Sequence, residues 1–176
     1  EICHEYIVSK GAIPSPLNYR GFPKSICSSV NEEICHGIPS NRKLRNGDIV
    51  NLDITTYFKG FHGDTSRTFF VGSPRKKAEQ LVEVCKEALQ RGIEVVKPGA
   101  RLGDIGATIQ GLAESHGYTV VREFCGHGIG SNFHEEPQIL HYGNFGDGLE
   151  IKKGMVFTIE PMINLGKPDL TILSDK

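Results

Sequence analysis

The stretch from Asp48 to Val71, DIVNLDITTYFKGFHGDTSRTFFV, constrains the fold more than any other. It reads as two strands with period-two alternation, Ile49 to Phe58 and Phe61 to Val71, turned at Lys59-Gly60. An even-length loop centred on that pair sets Asp53 opposite Ser66 and Thr55 opposite Asp64. Asp53 and Asp64 then become diagonal neighbours on one face, roughly 7–8 Å apart at the backbone and within reach of a shared ion. Asn51, Tyr57, His62, Ser66 and Thr68 line the same face, while Val50, Leu52, Ile54, Phe58, Phe61, Phe69 and Val71 share the other. Two carboxylates on one face repel each other, and partial burial makes them costlier. Taken alone, the hairpin fits a metal site and equally the solvated face of an antiparallel sheet.

The rest of the chain reads as α+β, a single domain over residues 1–176. A helix ends near Ser9, closed by Gly11. Ile13 to Phe22 is an ordered loop or short strand, Lys24 to Asn31 a strand, and Glu32 to Ser40 a turn marked by Gly37 and Pro39. Ser73-Pro74 starts a helix reaching about Val96, with Ala78, Leu81, Val82, Cys85, Ala88, Leu89, Ile93 and Val96 as its apolar stripe. A second helix spans Leu102 to His116, closed by Gly117. Strands are expected at Tyr118 to Cys125, near Phe133 to Ile139, and at Met155 to Ile163, with a glycine-rich loop after the first.

Composition mainly excludes. A net charge of -1 gives no electrostatic reason to expect nucleic acid, and no apolar run approaches a membrane span. The 5 cysteines lack C-x-x-C spacing, which argues against a disulfide framework and for a reducing, cytoplasmic setting. The chain opens at EICHEYI, already within a helix, and stops at Leu173-Ser174-Asp175-Lys176, so both ends read as cut.

Four further positions carry possible chemistry. His36 sits in the turn CHGIP, where an exposed histidine is the plainer reading. His127 lies in GHGIG, whose glycines let the backbone pack closely around the ring. A phosphate loop fails there, because the spacing is not G-x-G-x-x-G and no helix follows. His134 is seven residues on, outside any H-E-x-x-H helix. Glu160 lies in the apolar strand VFTIEPMI, where an unpaired carboxylate would cost several kcal/mol, unless it sits at a sheet edge before Pro161. Asp53, Asp64, His127 and Glu160 make an oxygen-rich set with one imidazole, suited to Mn, Fe(II) or Co and less to Zn. Paired carboxylates that can bridge fit a two-metal hydrolase. His4, His62, His116 and His141 receive no role.

The segments SPLNYRGFPKSICSSVNEEICHGIP, GDIVNLDIT, GFHGDTSRTFFVG, VVREFCGHGIGSNFHEEP and GMVFTIEPM closely resemble the bacterial type I methionine aminopeptidases. They span residues 15–163 in that family's order and spacing. The resemblance implies a pita-bread fold, a curved antiparallel sheet flanked by helices in two pseudo-symmetric halves. It implies co-translational removal of the initiator methionine from nascent chains with a small second residue. It further implies Asp53, Asp64, His127 and Glu160 as ligands of two divalent ions, Asp64 bridging and Glu160 also acting as general base. His134 would stabilise the tetrahedral intermediate, and His36 would position the scissile amide. Tyr19, Phe22, Cys27 and Phe133 would line the methionine pocket. The expected partners are nascent N-termini, with transient ribosome contact, no membrane, and a monomeric state.

Two departures stand against the family pattern. Pro16 replaces a cysteine common at the pocket, and the family's fifth ligand, a C-terminal glutamate, together with a pocket aromatic, would lie beyond Lys176. The rival readings are a related Xaa-Pro metallopeptidase, against which CHGIP argues, and a catalytically impaired binding module of the same fold.

Overall fold

The structure, a computed structural model, describes residues 1–173; the last three residues lie outside it. The chain forms two units, Glu1–Ala78 with Gly130–Phe133, and Glu79–Ile129 with the chain from His134 onward.

The first unit is built on the hairpin. Strands β3 (Ile49–Phe58) and β4 (Phe61–Phe70) pair along their whole length, Phe58 opposite Phe61, so that Lys59 and Gly60 alone make the turn. Both turn residues have positive φ, 50° and 95°, the geometry whose twist matches paired strands. The other edge of β3 is shared: β1 (Ile13–Pro14) pairs with Thr56 and Tyr57, and β2 (Cys27–Val30) with residues 50–53. Helix α1 (Ile2–Ser9) precedes them and buries Ile7. The expected apolar face of the hairpin is not the enclosed one at its tip. Phe58 and Phe61 there are exposed, as is Phe69 near the far end, whereas Thr55 on the polar face is 1% exposed.

The second unit packs helices α2 (Lys76–Glu94) and α3 (Leu102–Ser115) over a core of Ala88, Ile105, Ile109, Ala113, Val120, Ile139, Ile151 and Ile163. Helix α2 starts two residues after Pro74, and its buried line runs through Val84, Ala88 and Gly92, leaving Ile93 in water. Helix α3 opens on Asp104, whose carboxylate accepts the amides of Arg101 at 2.8 Å and Gly146 at 2.7 Å; these bonds hold its carboxyl below the usual range.

The expected long strands shrink. Tyr118 to Cys125 keeps only β5 (Thr119–Val120), which pairs with β8 (Ile163–Asn164), the remnant of Met155 to Ile163. The glycine-rich loop instead supplies a strand, β6 (Gly126–Gly128), paired with β7 (Glu135–Ile139). The apolar runs are nonetheless enclosed, with Val120 and Val121 at 4% and 1% exposure. Apolarity there reports burial and not a ladder.

Gly106 on α3 lies against the carbonyl oxygens of Leu140 and Tyr142, which a Cβ would strike. Gly106→Ala should therefore lower stability by about 1–3 kcal/mol, overriding the gain in helix propensity, as chemical denaturation will show. Burial pushes the Cys85 thiol up to about 12, against 9.0 for the free group. The folded chain holds this proton where the unfolded one releases it, so the contribution to stability is full below pH 9.0 and is lost as pH rises towards 12. Iodoacetamide at pH 9.0 should spare Cys85 in the native chain and modify it after denaturation, read by peptide mass.

Candidate metal centre

The hairpin register places Asp53 opposite Ser66 and Asp64 opposite Thr55, as the period-two pattern requires. Both carboxylates lie on the face of buried Thr55, half-buried and not on a freely solvated surface. On the other edge of β3, buried Cys27 stands opposite Asp53.

An aromatic group gathers in the same unit. The Tyr19 and Phe133 rings are 4.9 Å apart, and Phe133 stacks on His62 at 5.5 Å with an interplanar angle of 11°. Tyr57 lies 4.8 Å from the His62 ring. His62 is tied by Nδ1 to Ser15 Oγ at 2.9 Å, and its amide donates to the Gly130 carbonyl at 2.8 Å. Half-buried Phe22 closes the short helical turn Tyr19–Gly21, its amide donating to the Tyr19 carbonyl at 2.9 Å.

His36 is exposed and holds φ at 56°, a left-handed conformation costly for a residue with a side chain. Its neighbour explains how the turn persists: Gly37 packs directly on the Ser28 carbonyl, and its amide donates to Ser29 Oγ at 3.1 Å. The main chain of β2 thus grips this turn.

In the second unit, His127 is carried by the middle residue of β6. On one side β7 pairs with this strand; on the other, the Thr158 amide donates to the His127 carbonyl at 2.8 Å. A Cβ at Gly126 would strike the Thr158 carbonyl, and one at Gly128 the Glu136 carbonyl. The glycines therefore permit close strand approach. His127 Nε2 lies 3.6 Å from Glu160 Oε1, with the side chains 12% and 35% exposed. Exposed His134 brings its ring to 4.2 Å from that of His127.

Asp64, His127 and Glu160 make up a metal-binding triad: each offers one ligand atom, and these atoms lie within 4.8 Å of one another. Two carboxylates and one imidazole suit a divalent ion of the Mn, Fe(II) or Co kind. Asp53 shares the sheet face with Asp64 but is outside this triad. Burial first, and the Glu160 charge second, push the Cys125 thiol pKa up.

Two residues to which the sequence assigns no role bond to members of the triad. The Thr158 hydroxyl donates to Glu160 Oε1 at 2.6 Å and accepts the His127 amide at 3.0 Å. Its position two residues before Glu160 in an extended run was a usable signal. His141, fully buried, accepts the Glu160 amide at Nε2 over 3.1 Å, and burial pushes its pKa down to about 4. Nothing in its local sequence marks it.

Compared with known proteins, residues 1–172 match the model of metallopeptidase family M24. The chain is 57% identical over 174 residues to the methionine aminopeptidase of Rickettsia prowazekii, covering 99% of this chain and 67% of that protein. It therefore spans about two thirds of the length of that curated relative. The crystal structure of methionine aminopeptidase from Rickettsia prowazekii aligns with a TM-score of 0.97 and 55% identity, covering 98% of this chain and 70% of that one. The prolidase from Pyrococcus horikoshii aligns less fully, with a TM-score of 0.67 and 29% identity over 77% of this chain and 39% of that one.

Thr158→Val keeps the shape of the side chain and removes the hydroxyl's hydrogen bonds to His127 and Glu160. It should destabilise the metal-free chain by about 1–3 kcal/mol in denaturant titrations, and metal affinity should fall with it.

Proposed function

The chain belongs to metallopeptidase family M24, among its bacterial-type methionine aminopeptidases, metal-dependent hydrolases of the pita-bread fold, and from this we propose that it removes the initiator methionine from nascent proteins whose second residue is small. The observation that carries the reading is the triad of Asp64, His127 and Glu160 in a chain of this family. We read residues 1–176 as one catalytic domain acting in the cytoplasm as a monomer, on nascent N-termini, with transient contact to the ribosome.

In this reading Asp53, with Asp64, His127 and Glu160, would hold the divalent ions. Divalent ions held there, Mn, Fe(II), Co or Zn, would lower the pKa of water and polarise the scissile carbonyl. The methionine side chain enters the pocket of Tyr19, Phe22, Cys27 and Phe133, where sulfur–aromatic contact favours the thioether. The tilted Tyr19–Phe133 pair and the burial of Cys27 support this reading. The free amine is held near Asp53, which restricts cleavage to the first peptide bond. Glu160 takes a proton from the attacking water as the water oxygen bonds to the carbonyl carbon. His134 donates to the carbonyl oxygen as negative charge develops on it. The C–N bond then breaks and the proton passes to the leaving nitrogen, which His36 positions.

The likeness to a prolidase, at 29% identity, keeps an Xaa-Pro specificity as the second reading. One assay separates them: hydrolysis of Met-Ala-Ser and of Ala-Pro with Mn(II) or Co(II), beside an Asp64→Asn control. Free methionine is expected from the tripeptide and none from the control. Preferential cleavage of Ala-Pro would favour the prolidase reading; cleavage of neither would leave a binding module of this fold.

A further inference from the structure

We infer that His141 is a positioning residue for Glu160, holding the main chain of the metal ligand from a buried, neutral imidazole. The inference rests on Glu160 being such a ligand. Glu160 lies in the extended stretch 158–161, which belongs to none of the named strands; main-chain pairing flanks it, through the Thr158 amide on the His127 carbonyl and the Met162 carbonyl on the Val121 amide. At residues 160 and 161 themselves, side chains hold the backbone. The Glu160 amide donates to His141 Nε2 at 3.1 Å, and the next carbonyl, that of Pro161, accepts the Cys85 thiol at 3.3 Å.

The imidazole is an expensive way to fill this space. His141 is 0% exposed, and its Nδ1 has no hydrogen-bond partner among the described residues. With Nε2 accepting from an amide, the single ring proton must sit on Nδ1, so a buried N–H goes unpaired. A residue needed only for packing would avoid that cost, because an apolar side chain of similar size fills space without an orphan donor. What the histidine adds is an acceptor at a set distance from a rigid mount. That mount is the segment 140–142, whose carbonyls press on the bare backbone of α3 at Gly106. An unlinked Glu160 amide would free the peptide plane, and the carboxylate would lose its aim towards His127. Groups that orient metal ligands in this way change metal affinity by about ten- to a hundred-fold when removed.

Glutamine and methionine have the same chain length and differ in whether an oxygen acceptor stands where Nε2 does. The test is therefore Mn(II) titration by calorimetry, after chelation and removal of chelator, on the wild-type chain, His141→Gln, His141→Met and a Glu160→Gln control. Near-UV circular dichroism of the metal-free proteins reports the fold. We expect His141→Gln to bind close to wild type and His141→Met to bind about ten- to a hundred-fold more weakly while still folded. A Co(II) visible spectrum altered in the Met variant alone would agree. Equal affinities for the Gln and Met variants overturn the positioning role, and leave the proposed function standing if Glu160→Gln still loses metal. A wild-type chain that binds no Mn(II), or a Glu160→Gln variant that binds it unchanged, removes both. If the Met variant does not fold, His141→Asn replaces it, since its oxygen stops short of the Glu160 amide; equal affinity of the Asn and Gln variants then sinks the role.

Discussion

A carboxylate drawn out of water has to be compensated by donors or cations, and this condition shapes the chain wherever it departs from regular structure. Glu160 retains only 35% exposure beside an imidazole at 12%. Its oxygen takes the Thr158 hydroxyl, whose own oxygen takes the His127 amide, so the two ligands are tied through one side chain. An uninterrupted ladder through residues 155–163 would turn alternate residues to opposite faces, with backbone groups committed to neighbouring strands. Here main-chain pairing holds Thr158 and Met162, and between them the backbone offers an amide to His141 and a carbonyl to Cys85. At that break in the pairing, side chains take over the work of a sheet.

This also explains which parts of the structure were legible in the sequence. The hairpin register could be read in full, because strict alternation and a two-residue turn at Lys59-Gly60 leave no other pairing that keeps Asp53 and Asp64 on one face. Helices α2 and α3 followed from their apolar spacing, although the buried line of α2 passes through Val84 and Gly92 and leaves Ile93 exposed. The strands around Tyr118 and Met155 were overextended, because buried apolar runs look alike whether or not a partner strand lies beside them. Glu160 and His127 stood out chemically. His141 did not, since its meaning depends on an amide 19 positions away. The expectation of a methionine pocket rested only on family resemblance; no periodicity joins Tyr19 to Phe133.

The two units handle strain differently. In the first, His36 holds a left-handed backbone on the rim of β2, with Gly37 pressed against that strand. Such a conformation persists only where the surroundings over-determine it. In the second, the cost is an unpaired ring nitrogen inside a well-packed core. Both costs fall on histidines, one beside Gly37 and the other bonded to the Glu160 amide.

The bare strand Gly126–Gly128 has a consequence for anyone who would rebuild this centre elsewhere. Because the chain on either side comes too close for any Cβ at those two positions, His127 is the sole side chain in its strand, and its neighbours' main chains set where the ring stands. Grafting the imidazole and the carboxylates onto an ordinary strand would carry over the donor types without the spacing. The portable unit is a narrow strip of β6, β7 and the extended run at Thr158, with its glycines intact, and not a list of ligands.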